Sequence, residues 1–245
     1  MLPPDSHVHS EWSWDASHGS MEGTCARAVA IDLPVIAFLQ RCRERFPDLR
    51  ILSGVELGEP HWHAAAVAAL LGAGQFDRVL GSLHCLPAGG QFSEMASLFR
   101  QRPAAGVVRE YLPEIPHLIE GSDAFSVLAH IDYPLRYWPA EAGPFDPGAL
   151  EEEFRHALRV LAGTGRALEI NTSRPLGPEI VRWWHDEGGR AVTFGSDAHR
   201  PEYLARGFRH AAAMAEASGF RPGSSPYDPW PRAWIRPPSW SAIVR

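Results

Sequence analysis

The chain has 245 residues, 45% hydrophobic and 21% charged, with a formal net charge of −6. That length can bury one large core, and its 22 glycines and 22 prolines are spread out, which excludes a collagen-like or low-complexity protein. The acidic balance argues against a nucleic-acid partner, and no apolar run approaches the roughly 18–20 residues that span a bilayer.

Strand-like apolar runs alternate with helical patterns from end to end. In chain order the reading is strand 5–9, helix 21–31, strand 33–38, helix 39–46, strand 50–57, helix 61–71 and strand 78–83. Helix 104–120, strand 126–130, helix 147–162, strand 167–171, helix 177–187, strand 191–195 and helix 201–218 follow, with a last short strand over 233–236. Repeated alternation means parallel strands joined by right-handed crossovers. One α/β domain over residues 1–245 follows, a closed TIM-like (β/α) barrel, with an open doubly wound sheet as the alternative. The opening MLPPDSHVHS has neither the basic nor the apolar region of a signal peptide. Three cysteines (Cys25, Cys42, Cys85) form no CxxC pair, which suits a reducing, cytoplasmic setting. There is no lysine, a mark of base composition.

One junction is irregular. IDLPVIAF runs straight into LQRCRERF with no turn residue, although such loops usually take about 2–6 residues. Either strand and helix abut there, or a loop is absent from the sequence near 38–41.

In a barrel of this kind chemistry sits at the C-terminal strand ends. Those ends carry His7 and His9, Glu56, His84, His130 with Asp132, Asn171 with Arg174, and Asp197 with His199. Residues i and i+2 of a strand face the same way, so His7 and His9 can share one ion, and Asp197 and His199 repeat the spacing. Imidazole and carboxylate suit zinc, iron and manganese, and Glu56 can bridge two ions through its two oxygens. A lone strand-end histidine is ordinarily a satisfied polar residue, but a whole ring of such ends is not explained that way. His117, His156, His185 and His210 fall in helical patterns and read as solvated; His61 and His63 read as surface residues, and His18 is intermediate. Trp183 and Trp184 read as core, Trp12 and Trp14 as packing or a pocket wall, and Cys85 has no activating neighbour.

The series DSHVHS, GVELGE, GSLH, LAHID and GSDAH resembles the successive motifs of the PHP superfamily (polymerase and histidinol phosphatase), and within it the stand-alone histidinol-phosphate phosphatases. The resemblance implies a distorted (β/α)7 barrel holding two or three divalent metal ions. By that similarity the first ion takes His7, His9, Glu56 and Asp197, and the second shares Glu56 and adds His84 and His130. The third uses Asp15, His199 and a histidine of a Thr-Glu-His motif after the second strand. That motif is absent here: VIAF is followed by Leu39-Gln40-Arg41. Because the missing turn and the missing ligand coincide, an omitted loop is preferred over a depleted third site.

A clustered metal site supplies hydroxide at neutral pH, which suits hydrolysis of a small phosphomonoester; the resemblance implies that this is L-histidinol phosphate, in histidine biosynthesis. Asp197, His199 and Asp15 are the candidates to assist the leaving group. Arg136 and Arg174 follow the fifth and sixth strand ends and are expected to fork onto phosphate, with Arg200 a weaker candidate. Alternatives are another small phosphate or nucleotide as substrate, an amidohydrolase, and a non-catalytic metal module. An amidohydrolase that bridges its ions with carboxylated lysine is excluded by the absence of lysine. The oligomeric state is left open.

Overall fold

The structure is a computed structural model that describes residues 2–9, 40–72, 75–225 and 227–233. Asp15, His18, Trp12, Trp14, Cys25, the expected elements over 21–31 and 33–38, and the start of the irregular junction lie outside the described residues.

The main sheet is six-stranded among the described residues, in the order β1-β2-β5-β6-β7-β8. Strands β1 (Gly54–Gly58), β2 (Arg78–Ser82), β5 (Val127–Leu128), β6 (Ala167–Asn171) and β7 (Ala191–Gly195) all run parallel. Strand β8 (Trp230–Pro231) pairs antiparallel with the start of β7. The fold is thus α/β with a mostly parallel sheet. Every residue of β6 is buried, as expected of a strand covered on both faces. Helices Glu114–Gly121, Glu151–Thr164, Pro178–Asp186 and Phe208–Ala217 pack each on the next, the arrangement that crossovers of one hand produce. Their apolar faces bury Ile115, Phe154, Trp184 and Phe208 in one core; Trp183 joins it, as read from the sequence.

The free edge of β7 is divided. Its beginning pairs with β8, and its end receives the N-terminal segment, where Ser6 N–H donates to Phe194 O at 2.7 Å and His9 N–H to Ala198 O at 3.0 Å. This places the first metal-type residues beside the loop that carries Asp197 and His199.

Several elements differ from the sequence reading. The helix over 104–120 is two, Ala104–Tyr111 and Glu114–Gly121, separated at Pro113, which lacks the N–H that a continuous helix needs. The helix over 201–218 begins only at Phe208, because Ala205 and Gly207 are left-handed (φ 55° and 75°). A 3-10 turn, Pro147–Leu150, precedes helix Glu151–Thr164. A short strand, Trp230–Pro231, is added, with the buried Trp230 ring 4.9 Å from Phe194; the expected last strand over 233–236 lies, but for Ala233, outside the described residues. Unforeseen are the hairpin of β3 (Cys85–Ala88) and β4 (Gln91–Glu94) and the helix Met95–Gln101 that follows. Gly89 and Gly90 (φ 57° and 80°) make the hairpin turn, which needs positive φ at both central positions.

Candidate metal centre

The centre is assembled where strand ends meet. The N-terminal segment continues the ladder of β7, with Asp197 N–H donating to His7 O at 2.8 Å. The Asp5 carboxylate fastens it: it accepts from the backbone N–H of Ser196 at 2.8 Å, Ala205 at 3.1 Å and His7 at 3.3 Å. Burial nevertheless pushes the Asp5 carboxyl up to about 6. Extended backbone then turns both imidazoles of the His-x-His pair to one side.

His7 Nε2 lies 3.2 Å from His9 Nε2, 3.2 Å from Glu56 Oε2 and 3.7 Å from Asp197 Oδ1. His9 Nε2 lies 3.6 Å from Glu56 Oε2 and 3.1 Å from Asp197 Oδ1. Four ligands held tetrahedrally at zinc-type bond lengths of about 2.0–2.1 Å are about 3.3–3.4 Å apart. The separations scatter around that value, so these atoms fit one ion. The electrostatics agree. Burial would lower His7, but the Glu169, Glu56 and Asp197 carboxylates hold it well above the ordinary imidazole value. Burial would likewise raise Asp197, yet His7, His9 and Arg136 hold it well below the usual carboxyl range. Converging carboxylates in a buried pocket demand positive charge.

The other oxygen of Glu56 faces a second group. His130 Nε2 lies 2.8 Å from Glu56 Oε1, and His84 Nε2 lies 3.3 Å from the same oxygen. One carboxylate therefore divides its oxygens between two sets of imidazoles, and His7 stands within reach of both. Burial lowers the His130 pKa, which favours the neutral imidazole that a metal ion requires. Two of the ligand-type residues, His130 and Asp197, occupy left-handed backbone (φ 22° and 53°). Non-glycine residues rarely do so, and such conformations gather at functional sites. His84 is positioned by Glu59, whose Oε1 accepts from the backbone N–H of His84 and, at 3.0 Å, of Cys85.

The remaining expected residues are placed as follows. His199 stacks on His9 with ring centroids 4.0 Å apart, and its Nδ1 lies 2.9 Å from Asp197 O. Arg136 forms an ion pair with Asp197 Oδ2 and lies over the Tyr133 ring, so it stands at the centre. Arg174 donates to Leu135 O. His61 turns away, its Nε2 on Glu114 at 2.9 Å, and Trp62 beside it stacks on Phe92. Burial pushes the Cys85 thiol up to about 11, which leaves it protonated and un-nucleophilic.

Sequence reasoning missed Glu169. It is fully buried on β6, and its Oε1 accepts from His7 Nδ1 at 2.8 Å. A metal-ligating histidine ordinarily gives its second ring N–H to such a carboxylate. The signal was available: in ALEIN a lone acid interrupts an apolar strand, and buried acids are rare unless paired.

Comparison with known proteins agrees with this geometry. The family profile described as PHP domain matches residues 5–173. Asp197 and His199 lie beyond that match. The probable histidinol-phosphatase of Deinococcus radiodurans is 32% identical over 194 residues, covering 74% of this chain and 69% of that protein. The histidinol-phosphatase of Lactococcus lactis is 24% identical over 190 residues, covering 74% and 70%. The crystal structure of histidinol phosphate phosphatase from Lactococcus lactis, complexed with zinc, L-histidinol and phosphate, superposes with a TM-score of 0.79 at 21% identity. It covers 90% of this chain and 95% of that one, which shows a shared fold.

Proposed function

The chain belongs to the PHP-domain family, and from that premise we propose that it is a metal-dependent phosphatase hydrolysing L-histidinol phosphate to L-histidinol and phosphate. The observation that carries this reading is the division of Glu56. Its Oε2 faces His7 and His9 and its Oε1 faces His84 and His130, as a carboxylate shared by two ions would. The curated relatives named histidinol-phosphatase support the substrate.

His7, His9, Glu56 and Asp197 would hold one ion, and Glu56, His84 and His130 a second; zinc, iron and manganese all suit these donors. Such ions supply hydroxide at neutral pH and offset charge on a phosphoryl group. The chain's own residues do the rest. Arg136 reaches the centre at Asp197 and presents a guanidinium to phosphate oxygens. Arg174, held on Leu135 O, is assigned to the phosphate from the neighbouring loop. His199, stacked on His9, is assigned to a third site together with Asp15, and Asp197, His199 and Asp15 are the candidates to assist departure of the alkoxide.

The finer architecture belongs to the same proposal. Glu56 on β1 and Asp197 after β7 both approach His7, although β1 and β7 are separated by three strands in the sheet. That approach supports a sheet curled into a distorted (β/α)7 barrel, closed through the N-terminal segment, in a single domain. No helix among the described residues is long and apolar enough to cross a membrane. A cytoplasmic setting suits a biosynthetic phosphatase whose cysteines form no CxxC pair.

The test is direct. Protein loaded with zinc, manganese or iron(II) is incubated with L-histidinol phosphate, a nucleoside monophosphate and a cyclic amide, and phosphate or acid release is followed. Turnover of the first at the highest kcat/KM supports the proposal. Turnover of the amide alone, or metal binding without turnover on any ester, overturns it.

A further inference from the structure

We infer that Glu169 is a positioning residue that holds His7 with its proton on Nδ1 and its Nε2 turned toward the ions, and that the same carboxylate sets the backbone of His130, so that one buried side chain aligns both halves of the centre. The inference rests on reading the cluster as a metal centre.

Three elements converge on this carboxylate. Oε1 accepts from His7 Nδ1 at 2.8 Å, while Oε2 accepts from His130 N–H at 3.1 Å and from Asn171 Nδ2 at 3.0 Å. The Asn171 amide is oriented by Ser173 N–H, which donates to its Oδ1 at 3.0 Å. Its Nδ2 then reaches Asp197 Oδ2 at 3.4 Å. Glu169 thus connects to His7 and His130 directly and to Asp197 through one amide.

The chemistry requires an anionic acceptor here. A ring nitrogen can ligate only through a free lone pair, so His7 can offer Nε2 only when Nδ1 carries the proton. A carboxylate accepts and never donates when ionised, so it enforces that arrangement. The bond to His130 matters because its left-handed backbone (φ 22°) is a costly conformation for a β-unbranched, non-glycine residue and persists only under external constraint. Space for the carboxylate is reserved by Gly195: a Cβ there would lie 2.1 Å from Glu169 Oε1 and 2.6 Å from His7 Cβ.

Glutamine at this position keeps the shape and loses the function. If its oxygen faces His7, its NH2 opposes the donors of His130 and Asn171. If it is flipped, its NH2 opposes His7 Nδ1 and favours a proton on Nε2.

The experiment measures zinc binding to the full chain by competition with a chromophoric chelator, for the wild type, Glu169→Gln and Glu169→Asp. Cobalt(II) absorption is recorded on each as a report of ligand geometry. Loss of an outer-shell partner typically weakens metal binding about 10–100-fold; that loss is expected for Glu169→Gln, with altered cobalt bands and unchanged far-ultraviolet dichroism. Glu169→Asp, which keeps the charge, should recover part of it. Wild-type affinity and an unchanged cobalt spectrum in Glu169→Gln would overturn the inference. Should that variant not fold, nitrogen-15 spectra of histidine-labelled, zinc-loaded wild type decide: an Nδ1 proton on His7 that is hydrogen-bonded and slow to exchange upholds the inference, and an Nδ1 proton that exchanges freely with solvent, or a protonated Nε2, overturns it. A wild-type chain that binds no zinc refutes the metal reading itself, and is distinguished by that from the failure of Glu169 alone.

Discussion

Gly195→Ala is the sharpest probe of the packing behind the centre. The glycine closes β7 under His7, and an added Cβ would meet Glu169 Oε1 at 2.1 Å, His7 Cβ at 2.6 Å and Glu169 Cδ at 2.9 Å. Unstrained contacts to carbon lie near 3.5 Å, so the carboxylate and the imidazole must each retreat by about 1 Å. Both are buried and cannot swing into solvent. Overpacking of this kind costs about 1–3 kcal/mol, and weakening a hydrogen bond to a charged group adds about 1.5–3 kcal/mol. For a domain of this size 1 kcal/mol moves Tm by about 2–4 °C, so a fall of roughly 5–24 °C is expected in metal-free protein. The assay is thermal denaturation by calorimetry in chelator. Gly106→Ala serves as the control, because a Cβ there meets nothing within 4 Å and alanine favours a helix by about 0.5–1 kcal/mol. A Gly195→Ala protein that melts within 2 °C of wild type, on the order of 1 kcal/mol or less, would refute the steric argument.

Glu56→Ala is expected to lower kcat/KM for phosphate release by more than ~100-fold, since even outer-shell changes cost 10–100-fold; it should also reduce bound zinc measured by elemental analysis, and full metal content would contradict the bridge. Arg136→Met should raise KM for L-histidinol phosphate ~10–100-fold, the loss expected of one charge-assisted hydrogen bond; steady-state kinetics at fixed pH check it, and an unchanged KM removes Arg136 from the phosphate. Cys85, with its thiol pushed up to about 11, should alkylate slowly at pH 8 and faster only as pH climbs past 9, read by peptide mass spectrometry. The sign for stability follows: an acid whose folded pKa is raised withholds its charge, so the contribution is whole below the ordinary thiol value and is lost as pH rises toward 11. A labelling midpoint near 8.5 would contradict the burial of this thiol.

Much of the centre is legible in the sequence, because strand geometry is local. A two-residue period turns His7 and His9 to one side, and strand ends in a parallel α/β domain share a face; Asp197 and His199 lie past the end of β7, where Asp197 is left-handed (φ 53°), so the loop and not the period places them. Glu56, His84 and His130 are found by the same strand-end reading. Most element types are legible too, though not the β3–β4 hairpin or helix Met95–Gln101; the break at Pro113 is marked by the proline itself, while that at Ala205–Gly207 is hidden, since left-handed alanine leaves no mark in a helical pattern.

The order of residues along the chain therefore determined the family and the side of the sheet on which the metal-ligand types of residue gather. Tertiary structure alone decided how those residues are grouped. That β6 lies beside β7, that its buried Glu169 reaches His7 across Gly195, and that Glu56 turns one oxygen to each imidazole group are facts of strand adjacency. Adjacency is set by crossovers that bring together positions as far apart as residues 7 and 169, and no local periodicity encodes such a pairing.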